Sequence, residues 1–158
     1  MTPAHNLIFI HGLYGTSQGV KATLLRERYP HIVIPDFPGD LETRMEKLEG
    51  VLSPKMDWII IGSSFGGLMG ALYSFRHPER VRKLVLFAPA IIWGDFLDSP
   101  IDTPTVIIHG EQDEIVPLDQ TRTLAERLFT NLDFRVVEDD HGLYKTVHAL
   151  DWDAVLFG

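Results

Sequence analysis

The sequence predicts an α/β fold, a three-layer sandwich in which a parallel sheet of about six strands lies between two layers of helices. Three observations support this class: apolar runs of strand length, helical apolar spacing between them, and a length of 158 residues. The runs are rich in β-branched residues and lack polar alternation, as strands covered on both faces do. They cover residues 7–10, 32–34, 58–61, 84–87, 106–108 and 134–137.

Helices are predicted between these runs from the spacing of apolar side chains. The clearest set places four residues on one helical face, at Leu41, Met45, Leu48 and Leu52. The other predicted helices cover about residues 17–29, 68–75, 118–128 and 143–150. Strands that alternate with helices form parallel sheets with right-handed crossovers. Ligands of such sheets bind at the carboxyl ends of the strands, so functional residues are expected there.

Length and composition limit the number of domains and the possible classes of function. A chain of 158 residues is expected to form a single domain over residues 1–158. Its 45% hydrophobic and 23% charged residues exclude wholesale disorder. The formal net charge of −8, without a cluster of Lys and Arg, argues against nucleic acid as a partner. Because the chain has no cysteine, disulfides, thiolate metal sites and cysteine nucleophiles are excluded.

The start of the chain does not resemble a targeting segment. Residues 1–5 hold no basic region and lead into a short apolar run, so no signal peptide is expected. The apolar runs are far shorter than the ~20 residues of a membrane-spanning helix. The sequence therefore predicts a cytoplasmic protein with no membrane span.

A candidate nucleophile follows the third apolar run. Residues 62–66 match the pattern Gly-x-Ser-x-Gly, with Ser64 in the middle, an apolar strand before it and a helix after it. In this motif the chain turns sharply and pushes the serine outward, so its neighbours must be nearly free of side chains. Ser63 does not fit, since Ile61 and Phe65 would flank it. The alternative is a glycine-rich turn whose serine caps a helix.

A serine hydroxyl needs a base, and His141 is the candidate. It follows the last predicted strand and precedes the last predicted helix, with Gly142 allowing a tight turn. His148 is the competitor, but it would lie two helical turns further along.

An acid must fix the tautomer of that histidine, and Asp113 is the candidate. It follows the run at residues 106–108, where an ordinary turn residue is the alternative role. Asp95 and Asp98 follow the preceding strand and are alternative acids.

Donors to a tetrahedral oxyanion are expected from two backbone N–H groups. One is that of Phe65, after the nucleophile, and the other is most simply that of Leu13, in the loop after the first strand. Tyr14, in the same loop, is a candidate substrate contact. Trp93 and Phe96 could form an apolar wall near the site together with Ile91, Ile92 and Leu97, or these five residues could pack the edge of the sheet.

These motifs together resemble the α/β-hydrolase superfamily over nearly the whole chain. The resemblance rests on His11-Gly12, on residues 36–39, 62–67 and 77–81, on His109-Gly110 with Asp113 and Val116-Pro117, and on His141-Gly142. The order Ser, Asp, His is that of the superfamily. The resemblance implies a minimal α/β-hydrolase fold without a cap domain, similar to compact, lidless bacterial esterase-like members, with the two usual N-terminal strands missing.

The resulting hypothesis is a serine hydrolase of small carboxylic esters or thioesters that works through Ser64, His141 and Asp113 and an acyl-enzyme. No cofactor and no metal are implied. The alternative is a binding or interaction protein whose triad is weak or vestigial, and a third possibility is hydrolysis of an amide or carbon–carbon bond. A monomer or weak homodimer is expected, the latter through the surface around Trp93 and Phe96.

Overall fold

Five strands form one parallel sheet in a computed structural model that describes residues 5–96 and 99–158. Their order in the sheet is β1-β2-β3-β4-β5, the same as their order in the chain. The strands are β1 Asn6–Ile10, β2 Trp58–Ser63, β3 Val81–Phe87, β4 Thr105–Gly110 and β5 Leu132–Val137. All four pairings are parallel. The predicted α/β class is thereby confirmed.

The predicted strand at residues 32–34 is reduced to a single bridge at the outer edge of β1. The Val33 N–H donates to Leu7 O at 2.9 Å, and the Phe9 N–H donates to Val33 O at 3.0 Å. Pro35 follows directly, and proline lacks an N–H and restricts the residue before it. Pairing therefore does not extend beyond this bridge, and residues 32–34 do not form a sixth strand.

In the described part of the chain, six α-helices cover the two faces of the sheet. They are α1 Val20–Arg28, α2 Leu41–Leu52, α3 Phe65–Arg76, α4 Leu118–Leu128, α5 Tyr144–Ala149 and α6 Trp152–Phe157. The sequence analysis omitted α6. Its start is marked by Asp151, whose carboxylate accepts a hydrogen bond from the Ala154 N–H at 3.2 Å. A capping Asp followed by apolar residues at helical spacing was the signal available in the sequence.

Two apolar cores, one on each face of the sheet, hold the two helix layers against the sheet between them. On one side, Leu48 of α2, Met69 of α3 and Ala125 of α4 belong to the same buried cluster as Ile60 and Leu86 of the sheet. The opposite faces of the strands pack on α1, α5 and α6 in a second cluster. The buried parts of β1 to β4 contribute alternate side chains to both clusters, so their sequences are continuous apolar runs. Strand β5 differs, because exposed Asp133 and Arg135 alternate with its half-buried apolar residues.

The connection between β3 and β4 is short. Its described residues hold a 3₁₀ turn at Ile91–Trp93 and a bridge from Ile101 to Phe129, and no longer helix. Leu97 and Asp98 lie outside the described residues.

Across residues 5–96 and 99–158, none of the helices has the length and apolar character that crossing a membrane requires.

Candidate active site

Ser64 lies on the sharp turn between β2 and α3, at the carboxyl end of the sheet. Its backbone has φ 54° and ψ −113°, a left-handed conformation that is strained for a residue with a side chain. The Ser64 N–H donates to Phe87 O of the neighbouring strand at 2.8 Å, which holds the turn against β3. Strain of this kind persists only where the surroundings enforce it.

The glycines around Ser64 are required by close backbone approach. A Cβ on Gly62 would lie 2.5 Å from Gly66 O, and a Cβ on Gly66 would lie 2.1 Å from Ile10 O. Both distances are far inside van der Waals contact. The spacing Gly-x-Ser-x-Gly therefore reflects the tight fit of the turn against itself and against β1.

His141 reaches Ser64 from the loop between β5 and α5. Its Nε2 lies 3.1 Å from Ser64 Oγ, and its side chain is 25% exposed. The loop is fastened by its own acidic residues: Asp140 accepts from the Gly142 N–H at 3.0 Å, and Asp139 accepts from the Thr146 N–H and hydroxyl. Burial acts to raise the pKa of Asp139, but these hydrogen bonds outweigh it and lower the pKa below its ordinary value.

Asp113 lies behind His141 and is fully buried. Its Oδ2 is 2.8 Å from His141 Nδ1, while its Oδ1 accepts from the N–H groups of Ile115 and Val116 at 2.9 and 2.8 Å. A carboxylate can only accept, so His141 carries its proton on Nδ1. This leaves Nε2 with a free lone pair directed at the Ser64 hydroxyl.

The alternative residues lie elsewhere. Asp95 is exposed, and the Asp98 alternative falls outside the described residues. His148 is exposed and donates to Tyr144 O in its own helix at 2.6 Å. Among residues 5–96 and 99–158, Asp113 is the carboxylate in ion-pair distance of His141.

Comparisons with known proteins agree with the fold. The family model for serine aminopeptidase, S33, matches residues 27–100. Alpha/beta hydrolase domain-containing protein 10 from mouse superposes with a TM-score of 0.76 at 20% identity, covering 95% of this chain and 90% of that chain. Est1E from Butyrivibrio proteoclasticus gives 0.77 at 18% identity, with coverages of 92% and 84%. This chain has the α/β-hydrolase fold.

A curated relative matches over a smaller share of its own length. Proline iminopeptidase from Neisseria gonorrhoeae is 32% identical over 104 residues, which are 66% of this chain and 31% of the relative. The chain thus spans about a third of that relative. The predicted resemblance holds at the level of the fold, and the activity of the relative belongs to that longer protein.

A cleft of about 690 Å³ opens over Ser64. Four of the predicted site residues, Leu13, Tyr14, Phe65 and Trp93, line it together with Ile115, Tyr144 and Lys21. Several of these apolar side chains are exposed, Tyr14 at 96% and Trp93 at 59%. The cleft is therefore open and mostly apolar or aromatic.

The predicted role of Phe96 is corrected by its position. Phe96 is absent from the lining of the cleft and packs edge-on against Phe75 of α3, with ring centroids 6.0 Å apart. It belongs to the margin of the core under the sheet. Phe96 therefore packs against α3, while Trp93 lines the cleft.

The two predicted oxyanion donors flank the cleft from different elements. Phe65 is the first residue of α3, whose amino-terminal N–H groups and dipole favour negative charge. Leu13 follows β1 in a loop that His11 fastens: His11 Nδ1 donates to Gly12 O at 2.7 Å, and its Nε2 accepts from the Phe37 N–H at 2.9 Å. His11 thus holds the loop in place through hydrogen bonds of both ring nitrogens.

The sequence analysis gave His109 no role, yet it contacts the predicted acid. The side chain is fully buried at the end of β4, and Nε2–H donates to Val116 O at 2.9 Å while lying 3.3 Å from Asp113 Oδ2. Burial lowers the pKa of His109, so the ring is neutral. The available signal was its place at a strand end, four residues before Asp113.

In the described part of the chain, no group of three or more His, Asp or Glu is arranged to hold a metal ion.

Proposed function

We propose that this protein is a serine hydrolase that cleaves small carboxylic esters or thioesters. The observation that carries the proposal is the hydrogen-bonded series from Ser64 Oγ through His141 to buried Asp113, with distances of 3.1 and 2.8 Å. A serine hydroxyl is a weak nucleophile until a neighbouring base takes its proton. The series supplies that base, holds it in the required tautomer and stabilises its charged form.

In the proposed reaction, Ser64 Oγ bonds to the carbonyl carbon while its proton moves to His141 Nε2. The carbonyl oxygen becomes an oxyanion facing the N–H groups of Leu13 and Phe65, each worth about 2.7–4 kcal/mol. Collapse breaks the ester bond, and the alcohol or thiol leaves with the proton from His141. Water then attacks the acyl-enzyme, gives its proton to His141 and releases the acid as Ser64 regains that proton.

A second candidate is the release of an amino-terminal residue from a peptide. It is favoured by the similarity to proline iminopeptidase and to the serine aminopeptidase family model. Such a substrate brings an ammonium group, and Lys21 is the cation that lines the cleft. Like charges repel in a partly apolar site, and the neutral acyl group of an ester avoids this repulsion. The ester is therefore the preferred substrate class.

The test uses the folded chain with two serine variants. A fluorophosphonate probe should label the wild type and Ser63→Ala but not Ser64→Ala, because the adjacent Ser63 is the matched control. The same three proteins are assayed with p-nitrophenyl esters of rising acyl length and with proline p-nitroanilide. We expect turnover of short esters that depends on Ser64 and exceeds turnover of the anilide. Absence of both labelling and turnover in the folded wild type would favour a binding protein instead.

A further inference from the structure

Arg44 is a buried cation beside the predicted oxyanion loop. The residue lies on α2 and is only 3% exposed. Across residues 5–96 and 99–158, no carboxylate lies within ion-pair distance of its guanidinium. Burying a charge costs free energy unless hydrogen bonds replace its water shell, so the bonds it makes indicate what it is for.

Backbone carbonyls are the partners of this guanidinium. Its Nη2 donates to Leu13 O at 2.9 Å, Nη1 donates to Gly12 O at 3.4 Å, and Nε donates to Gly39 O at 2.9 Å. Two of these carbonyls belong to the loop after β1, and the third belongs to the turn before α2. The planar fork of arginine, with donors in fixed directions, suits such a cross-link and a lysine does not.

The same guanidinium contacts the second predicted oxyanion segment. Its central carbon lies 5.0 Å from the ring centroid of Phe65, within the range of a cation–π interaction. One side chain thus contacts both residues whose N–H groups are expected to bind the oxyanion. Neither contact was visible in the sequence, where Arg44 is one polar residue on the outer face of a helix.

We propose that Arg44 is a positioning residue for the oxyanion hole, holding the Leu13 and Phe65 segments in register and polarising the donor of Leu13. This inference rests on the proposed function. The Gly12 carbonyl and the Leu13 N–H belong to one peptide unit, so a hydrogen bond to that carbonyl strengthens the N–H as a donor. His11 Nδ1–H bonds to the same carbonyl at 2.7 Å and acts in the same direction.

A fixed positive charge behind the loop has a second effect on the reaction. Negative charge appears on the carbonyl oxygen only as the tetrahedral state forms, and preorganised positive groups stabilise that state more than the bound ester. Loss of Arg44 should therefore lower kcat and leave KM nearly unchanged. A purely structural arginine would instead lower the folded fraction and leave kcat per active site as it is.

The experiment compares Arg44→Gln, which removes the charge, with Arg44→Lys, which keeps the charge but loses the fork. Arg122→Gln, at an exposed arginine of α4, is the matched control. Active sites are counted by fluorophosphonate titration, and kcat and KM are measured with a p-nitrophenyl ester. The carbonyl stretching frequency of a cinnamoyl acyl-enzyme is recorded by infrared difference spectroscopy, because it reports hydrogen bonding to the acyl oxygen.

We expect kcat per titrated site to fall about tenfold or more in Arg44→Gln and less in Arg44→Lys, below the 10²–10³-fold loss seen when a direct donor is removed. KM should stay within about twofold, and the carbonyl frequency should rise in both variants. Unchanged kcat and carbonyl frequency in a variant that folds would overturn the proposal, whatever happens to its melting temperature. If Arg44→Gln does not fold, Arg44→Lys decides by the same two measurements.

The outcome for Arg44 is separable from that of the proposed function. Labelling of wild-type Ser64 with ester turnover, together with unaltered Arg44 variants, refutes the positioning role alone. Failure to label the folded wild type refutes the serine hydrolase, and the positioning role with it.

Discussion

His109 Nε2 lies 3.3 Å from Asp113 Oδ2, and both side chains are fully buried. Within the described residues, the other ring nitrogen of His109, Nδ1, is buried without a hydrogen-bond partner. Protonation would add a second N–H there with no acceptor to receive it. Neutral His109 therefore supports Asp113 as a hydrogen-bond donor. Because protonation of His109 is unfavourable in the folded chain, the stability of the fold is sensitive to low pH.

The first prediction concerns stability below neutral pH. Burial lowers the pKa of His109 in the folded chain from the ordinary value of 6.5, which the unfolded chain keeps. As the pH falls below about 6.5, the unfolded chain binds a proton that the folded chain does not. The free energy of unfolding should thus decrease by up to about 1.4 kcal/mol per pH unit from this group.

Urea unfolding at several pH values between 5 and 8 measures this slope. We expect His109→Phe to flatten it, although the lost bond to Val116 O lowers stability at every pH. His148→Phe, at an exposed histidine, is the matched control. An equally steep slope in His109→Phe would show that another group is responsible.

The second prediction concerns the acid. In Asp113→Asn the amide can donate to His141 Nδ1, which would favour the tautomer with its proton on Nε2, pointing at Ser64. The base would then be blocked, and kcat should fall by about 10⁴-fold with the fold retained. Ester hydrolysis measures this loss, and Asp95→Asn is the control because Asp95 is exposed. A loss below about tenfold would contradict the role of Asp113.

Local chemistry explains which parts of the fold could be predicted. Strands β1 to β4 were predicted correctly because a strand covered on both faces contains an unbroken apolar run. Strand β5 was predicted from Phe134, Val136 and Val137, although Arg135 interrupts that run. The turn at Ser64 was found because its glycines are demanded by contacts within a few residues and with β1. A full strand was predicted at residues 32–34 from its apolar residues, but Pro35 limits pairing there to a single bridge.

Long-range packing explains what could not be predicted. Phe96 looks the same in sequence whether it faces the cleft or Phe75, and only the path of the β3–β4 connection decides. The contacts of Arg44 with Leu13 and Phe65 join α2 to two distant turns. Such contacts depend on how helices dock on the sheet, and neither periodicity nor spacing carries that information.

The third prediction compares two glycine substitutions. Gly66→Ala should destabilise the fold by about 3 kcal/mol or more, because the new Cβ would lie 2.1 Å from Ile10 O and β1 must shift. Gly50→Ala should stabilise it by about 0.5–1 kcal/mol, since Gly50 lies within α2 with nothing within 4 Å of the new Cβ. Thermal and urea unfolding give both values. A Gly66→Ala protein as stable as the wild type would contradict the close approach at the turn.

The fourth prediction concerns Lys21, which lines the cleft and whose ammonium donates to Gly142 O at 2.6 Å. Burial lowers the pKa of Lys21 from 10.5 to about 8, against the opposing effect of Asp139 and Asp140. Between about pH 8 and 10.5 the unfolded chain keeps a proton that the folded chain has released, so this group makes stability rise with pH.

The difference in unfolding free energy between wild type and Lys21→Met isolates that contribution. It should shift in favour of the wild type by up to about 1.4 kcal/mol per pH unit across this interval and stay constant below it. Lys55→Met, at an exposed lysine, is the matched control. Other alkaline titrations, such as that of Tyr29 beside Asp153, cancel because both proteins share them. A constant difference for Lys21→Met would mean that its ammonium keeps an ordinary pKa despite the contact with Gly142.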